Sequence, residues 1–191
     1  GSIDSSLIKG SFELPYKMAI IHPFIADLEY IRLKKTESDE SFKADIADMP
    51  NMLISSKTVS YEDMTFDNLI LSTRAEAEAF VIEQLDFSHD QVQLKSSGKW
   101  QFEPLSKLHV SVFNIAVKGP NFGETINKLG LGETIKGSKV DFNGQIGWGG
   151  EIYSINWPSL LGEVSLKLDD GYLRNVDPGA GRFVGLLSFN A

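Results

Sequence analysis

The stretch Val140-Asp141-Phe142-Asn143-Gly144-Gln145-Ile146-Gly147-Trp148 sets an apolar or small residue at every even number and a polar or small one between. Period two marks a strand with one apolar face, because successive side chains of an extended backbone point to opposite sides. The same period recurs at Val92, Leu94 and Trp100, at Leu108, Val110 and Val112, and at Val164, Leu166 and Leu168. Residues 11–21, 25–35, 52–59, 66–73 and 79–88 carry it less cleanly and are read as further strands. Tight turns are expected at Ser97-Gly98, Gly119-Pro120, Gly149-Gly150, Asp169-Asp170-Gly171 and Asp177-Pro178-Gly179, where the residue types permit positive or preset φ.

The helical period is confined to residues 121–131, where Phe122, Ile126 and Leu129 fall on one face with Gly132 as terminator. Such a helix would cap one end of the sheet. Residues 74–83 are rich in the good helix formers Ala and Glu, but their strict alternation favours strand. The charged stretch 34–43 reads as a solvated loop. With no Pro/Gly/Ser-rich linker and no solenoid repeat, residues 1–191 are read as a single domain. The expected fold is all-β: a mostly antiparallel, twisted sheet forming a groove or an open sandwich, with one short helix near 121–131.

Composition narrows the function. A chain of 191 residues with 42% hydrophobic and 23% charged residues can bury a core, and zero cysteines exclude disulfides and thiolate chemistry. The net charge of -8 opposes nucleic-acid binding, which rests on clustered Lys and Arg, and adsorption to an anionic membrane surface. A lipid ligand would have to be held by its tails. No run of about 20 apolar residues is present, so any membrane anchor is expected outside this sequence.

Catalytic and cofactor signals are weak. His22, His89 and His109 lack metal-ligand spacing, Ser159 lacks the nucleophile elbow, and Asp169-Asp170 sit where a turn explains them. No catalytic residue, metal or cofactor is assigned. Gly179-Ala180-Gly181-Arg182-Phe183-Val184-Gly185 has glycines spaced unlike a dinucleotide fingerprint, and Ala191 ends the sequence before a βαβ unit could follow. There Gly179 or Gly181 is expected to hold a φ closed to other residues, with Arg182 pairing Asp177. Trp100, Trp148 and Trp157 admit two readings: core anchors whose indole N–H finds an acceptor, or the rim of an apolar groove.

The run Trp157-Pro158-Ser159-Leu160-Leu161-Gly162-Glu163-Val164-Ser165-Leu166-Lys167-Leu168-Asp169-Asp170-Gly171, continuing through Pro178-Gly179-Ala180-Gly181-Arg182 to Gly185-Leu186-Leu187-Ser188, resembles the signature region of the YhdP-type AsmA-like proteins. Ser97-Gly98-Lys99-Trp100 is similar to that family's strand motif, residues 121–130 to its short helix, and Gly144-Gln145-Ile146-Gly147-Trp148-Gly149 to its strand ending in tryptophan and glycine. The resemblance is specific from about residue 97 to 191 and general before that. Tyr172 stands where the family often has Arg, and Gly150-Glu151 replaces a commoner proline pair.

The resemblance implies a segment of a longer periplasmic protein, tethered to the bacterial inner membrane by an anchor outside this sequence. It implies non-enzymatic carriage of phospholipid towards the outer membrane, with acyl chains and the remainder of the parent chain as partners. The residues expected to line the lipid path are Val110, Val112, Val140, Phe142, Ile146, Trp148, Val164, Leu166 and Leu168. Those expected to shape the backbone are Gly98, Trp100, Gly162, Gly171, Pro178, Gly179, Gly181, Arg182 and Gly185. The rival reading is a structural or partner-docking β-module of a cell-envelope protein. Periodicity does not separate the two, since an open groove and a closed core both need one apolar face.

Overall fold

A computed structural model describes residues 1–14, 22–33, 44–62, 64–128 and 135–173. The alternating segments form ten strands: β1 (Ser2–Asp4), β2 (Ile8–Glu13), β3 (Phe24–Leu33), β4 (Met52–Tyr61), β5 (Met64–Ala75), β6 (Ala79–His89), β7 (Val92–Glu103), β8 (Leu108–Gly119), β9 (Ile135–Gly149) and β10 (Leu161–Leu173). One short helix, α1 (Phe122–Lys128), lies between β8 and β9. The strands make one open sheet whose spatial order follows the chain from β1 to β10. The architecture is all-β with a single helix among the described residues.

Neighbours pair antiparallel except once. β3 and β4 run parallel, with Phe24 beside Met52 and Leu33 beside Tyr61. A parallel pair needs a connection that returns the chain to its starting end, and residues 34–51 make it. The stretch 34–43 lies outside the described residues; 44–51 carry a 3-10 turn at Ile46–Asp48, capped by the Asp45 carboxylate, which accepts from the Ala47 N–H at 3.0 Å.

Several expected turns are not turns. Ser97-Gly98 lies inside β7, and Asp169-Asp170-Gly171 lies inside β10, where Gly171 pairs with Gly137 of β9. Gly98 serves close approach: a Cβ there would stand 2.3 Å from the Val112 carbonyl oxygen and 2.6 Å from the Phe113 ring. The segment 74–83 is neither one strand nor a helix, since it ends β5, turns and begins β6. Asp177-Pro178-Gly179 lies outside the described residues. β6 and β7 meet in a two-residue loop whose Asp90 and Gln91 both have positive φ, +48° and +68°, the twist that antiparallel neighbours favour.

Bulges bend the sheet. Glu83 and Gln84 of β6 oppose a single residue of β7, and Glu29, Lys57 and Asn68 drop out of the ladders side by side in β3, β4 and β5. Asn68 takes a positive φ of +56° to do so. Bulges raise local twist and re-aim the strand, so the sheet coils while one face stays apolar across the kink.

Candidate functional site

Cross-strand partners define the two faces. Phe87, Leu94, Val117, Phe142 and Leu166 pair in a row across β6 to β10, and Leu71, Leu85, Ser96, Ile115, Gly144 and Val164 form the next row across β5 to β10. Towards β1 the same face continues through Ile54 and Val59 of β4, Ala26 and Leu28 of β3, and Phe12 of β2. Across β1 to β8, residues 139–149 of β9 and residues 161–169 of β10, every Asp, Glu, Lys and Arg falls on the opposite face or in the bulges that open onto it; further along the last two strands Lys136 and Asp170 hold register positions of the apolar face. Lys9 with Glu29, Arg74 with Glu83, and Lys118 with Asp141 pair there.

One margin of the apolar face is walled. Ile46, from the 3-10 turn before β4, is only 4% exposed and packs into a cluster of Phe80, Ile82, Trp100, Phe113 and Trp148, with Ile152 and Leu160 from the β9–β10 connection against it. The Tyr153 hydroxyl meets the Ala44 N–H at 3.3 Å, tying the two covering segments together, and its ring sits edge-on to Trp100. Polar atoms inside the wall are satisfied. Trp100 Nε1 donates to His109 Nδ1 at 2.9 Å, Trp148 Nε1 to the Glu151 carbonyl at 3.0 Å, and Ser111 Oγ to the Gly150 carbonyl at 2.9 Å. At the far end of β9, where α1 packs, Val140 is 1% exposed.

Between wall and helix no described element covers the face. Phe87, Leu94, Ile115, Val117, Phe142, Ile146, Val164, Leu166 and Leu168 are all only half-buried. A filled sandwich core would cover such side chains completely. Instead they floor a trough running across the strands. Ten strands at about 4.8 Å spacing make it about 43 Å long.

Concavity and apolar character do not coincide. The larger surface hollow, of about 590 Å³, is lined by Gln84, Asp86, Lys95, Asn114 and Asn143 on the charged side; a smaller one of about 430 Å³ lies at Lys9, Asp27, Glu29 and Lys57 on the same side. Their groups already bond one another, as Gln84 Nε2 to Asp86 at 2.8 Å and Lys9 to Glu29 at 3.1 Å. The trough is the better candidate, because its groups have no other use for their exposure.

The family model described as YhdP protein matches residues 2–191. The chain belongs to the YhdP family. Family membership makes it a cell-envelope protein related to lipid transport, in a family generally without enzymatic activity. Comparison with curated proteins and with solved structures gives no significant match. No helix among the described residues is long and apolar enough to cross a membrane.

In this YhdP-family chain the register gathers Val140, Phe142, Ile146, Trp148, Val164, Leu166 and Leu168 on the apolar face. Val110 and Val112 are a correction. They lie on the opposite face, paired with Gly149 and Gly147, because the Trp100–Ser111–Trp148 pairing turns Phe113, Ile115 and Val117 of β8 to the trough. The signal for those three was in the sequence, since β8 alternates apolar residues at both parities. Trp100 and Trp148 are core anchors, whereas Trp157 is 62% exposed. Gly162 lets β10 approach β9, as a Cβ there would stand 2.2 Å from the Gln145 carbonyl oxygen. Pro178, Gly179, Gly181, Arg182 and Gly185 lie outside the described residues. Periodicity did not point to Ile46, Ile152 or Tyr153, which come from irregular segments.

Proposed function

We propose that this YhdP-family chain is a periplasmic segment that shields phospholipid acyl chains on their way between the inner and outer membranes, with no catalytic step. One observation carries the reading: an apolar sheet face, half-buried over its middle and without a covering sheet among the described residues, crosses all ten strands. Shielding a 16-carbon tail from water is worth on the order of 12 kcal/mol, at about 0.8 kcal/mol per methylene. An apolar floor supplies that shielding without directional bonds, so a chain can slide along it. The wall around Ile46 supports the same reading by limiting the trough on one side.

The test is organic extraction and mass spectrometry of the purified protein, alongside the variants Phe142→Arg and Leu166→Arg. Both positions are half-buried, so an arginine can lay its stem on the floor and keep its head group in water while blocking the path. The expected result is wild type with bound lipid and two folded variants with much less. Unfolding of both variants, with no lipid extractable from the wild type, would overturn the proposal in favour of a structural module with a closed core.

A further inference from the structure

We infer that β7 to β10 carry, on the face turned away from the trough, a contact surface for a second copy of this chain. The apolar residues of β8 that the trough does not use lie there. Lys99, Val112, Gly147 and Leu161 pair in one row across the four strands, and Val110 pairs with Gly149 in the next. Leu108 and Leu161 on the same face are 61% and 74% exposed, and Val110 and Val112 are half-buried. Apolar side chains gathered at one place on an otherwise charged and amide face mark an interaction site.

The pattern is complementary to itself. Aligned sheets stack face to face about 10 Å apart. A two-fold axis parallel to the strands and midway between β8 and β9 sets β8 over β9 of the second copy and β7 over its β10, so that every contact occurs twice. Val112 then falls on Gly147 and Val110 on Gly149, bulky positions on positions that have no side chain. At Gly149 the Ser159 Oγ already lies 3.6 Å from where a Cβ would stand, which leaves Val112 on Gly147 as the closer fit.

The charges match in the same arrangement. Lys95, Ser97 and Lys99 alternate along this face of β7, and the row Ser97, Asn114, Gln145 and Glu163 brings Glu163 of the second copy over Ser97, between the two lysines. Lys95, Lys99 and Glu163 are exposed and have no ion-pair partner among the described residues. Within one chain, three strand spacings keep Glu163 about 14 Å from β7. In a further row Lys118 falls on Asp141, again opposite in sign.

An interface confined to four strands is below the standard size of about 800 Å² per partner, so a weak dimer with a Kd on the order of 100 µM is expected. Sedimentation equilibrium of the purified chain across about 10–500 µM spans that value. Lys99→Glu, Glu163→Lys and Leu161→Glu, all at exposed positions and checked for folding by circular dichroism, are run beside it. Wild type should pass from monomer to dimer over this range. Each variant alone should weaken association at least about tenfold, because each change enters the interface twice. An equimolar mixture of Lys99→Glu and Glu163→Lys should recover the dimer, since both contacts between the copies then join opposite charges. A wild type that stays monomeric throughout would overturn the inference, and so would a dimer that all three variants leave unchanged, or a loss that mixing does not restore. A monomeric wild type that binds phospholipid vesicles, with binding lost in Leu161→Glu, would assign the patch to a lipid surface instead.

Discussion

Ile46 shows how much one side chain outside the strands can do. It is the buried contribution of an irregular segment to a cluster otherwise drawn from four strands, and its removal takes away part of the cover over Phe80, Trp100 and Trp148. Ile46→Ala should lower stability by about 2–4 kcal/mol in urea unfolding, the range for truncating a buried aliphatic side chain; a loss below about 1 kcal/mol would mean that the wall is not docked. On the charged face, hydrogen bonds from Arg74 and then Ser72 hold the Glu83 carboxyl below its ordinary value of 4.5. A lowered folded-state value gives stability that is complete above the unfolded value and fades as pH drops through the lowered one, so the window lies below pH 4.5. The Tm gap between wild type and Glu83→Gln should be about 1–2 °C near neutrality, since both partners are half-exposed, and should close in acid. A gap that does not change with pH would show that this pair is not its source.

At the level of elements, β7 and β8 pack more tightly than their composition suggests. Gly98 sits beneath the Phe113 ring, and that ring stacks on Trp148 at 5.6 Å between centroids. Gly98→Ala would drive a methyl group into main-chain atoms of β8 that cannot move aside, and should cost about 2–3 kcal/mol. Thermal unfolding of this variant at the wild-type midpoint would show that the two strands have slack. The motif Ser97-Gly98-Lys99-Trp100 thus has its physical basis in a close backbone approach and not in a turn. The same element shows where reading by period stops. Leu108, Val110 and Val112 alternate as well as Phe113, Ile115 and Val117 do, and one strand by itself contains nothing that ranks the two sets.

For the whole molecule, an open apolar face has a consequence that a filled core does not. The native protein, freed of lipid, should enhance the fluorescence of an apolar dye such as ANS while still unfolding in one cooperative transition, which separates it from a molten state. No enhancement by the lipid-free native protein would mean that the face is covered. The sequence by itself determined that the chain is built of strands with a single short helix, that one side of them is apolar, and which family motifs it carries, because period two, propensity and local motif chemistry are properties of neighbouring residues. The tertiary structure alone decided that β3 and β4 run parallel, that Val110 and Val112 turn away from the trough, and that Ile46 and Tyr153 wall one margin. Each of these depends on residues distant in the chain coming into register. A shift of one residue in pairing exchanges the two faces of a strand, so only the partner strands can settle which face it shows.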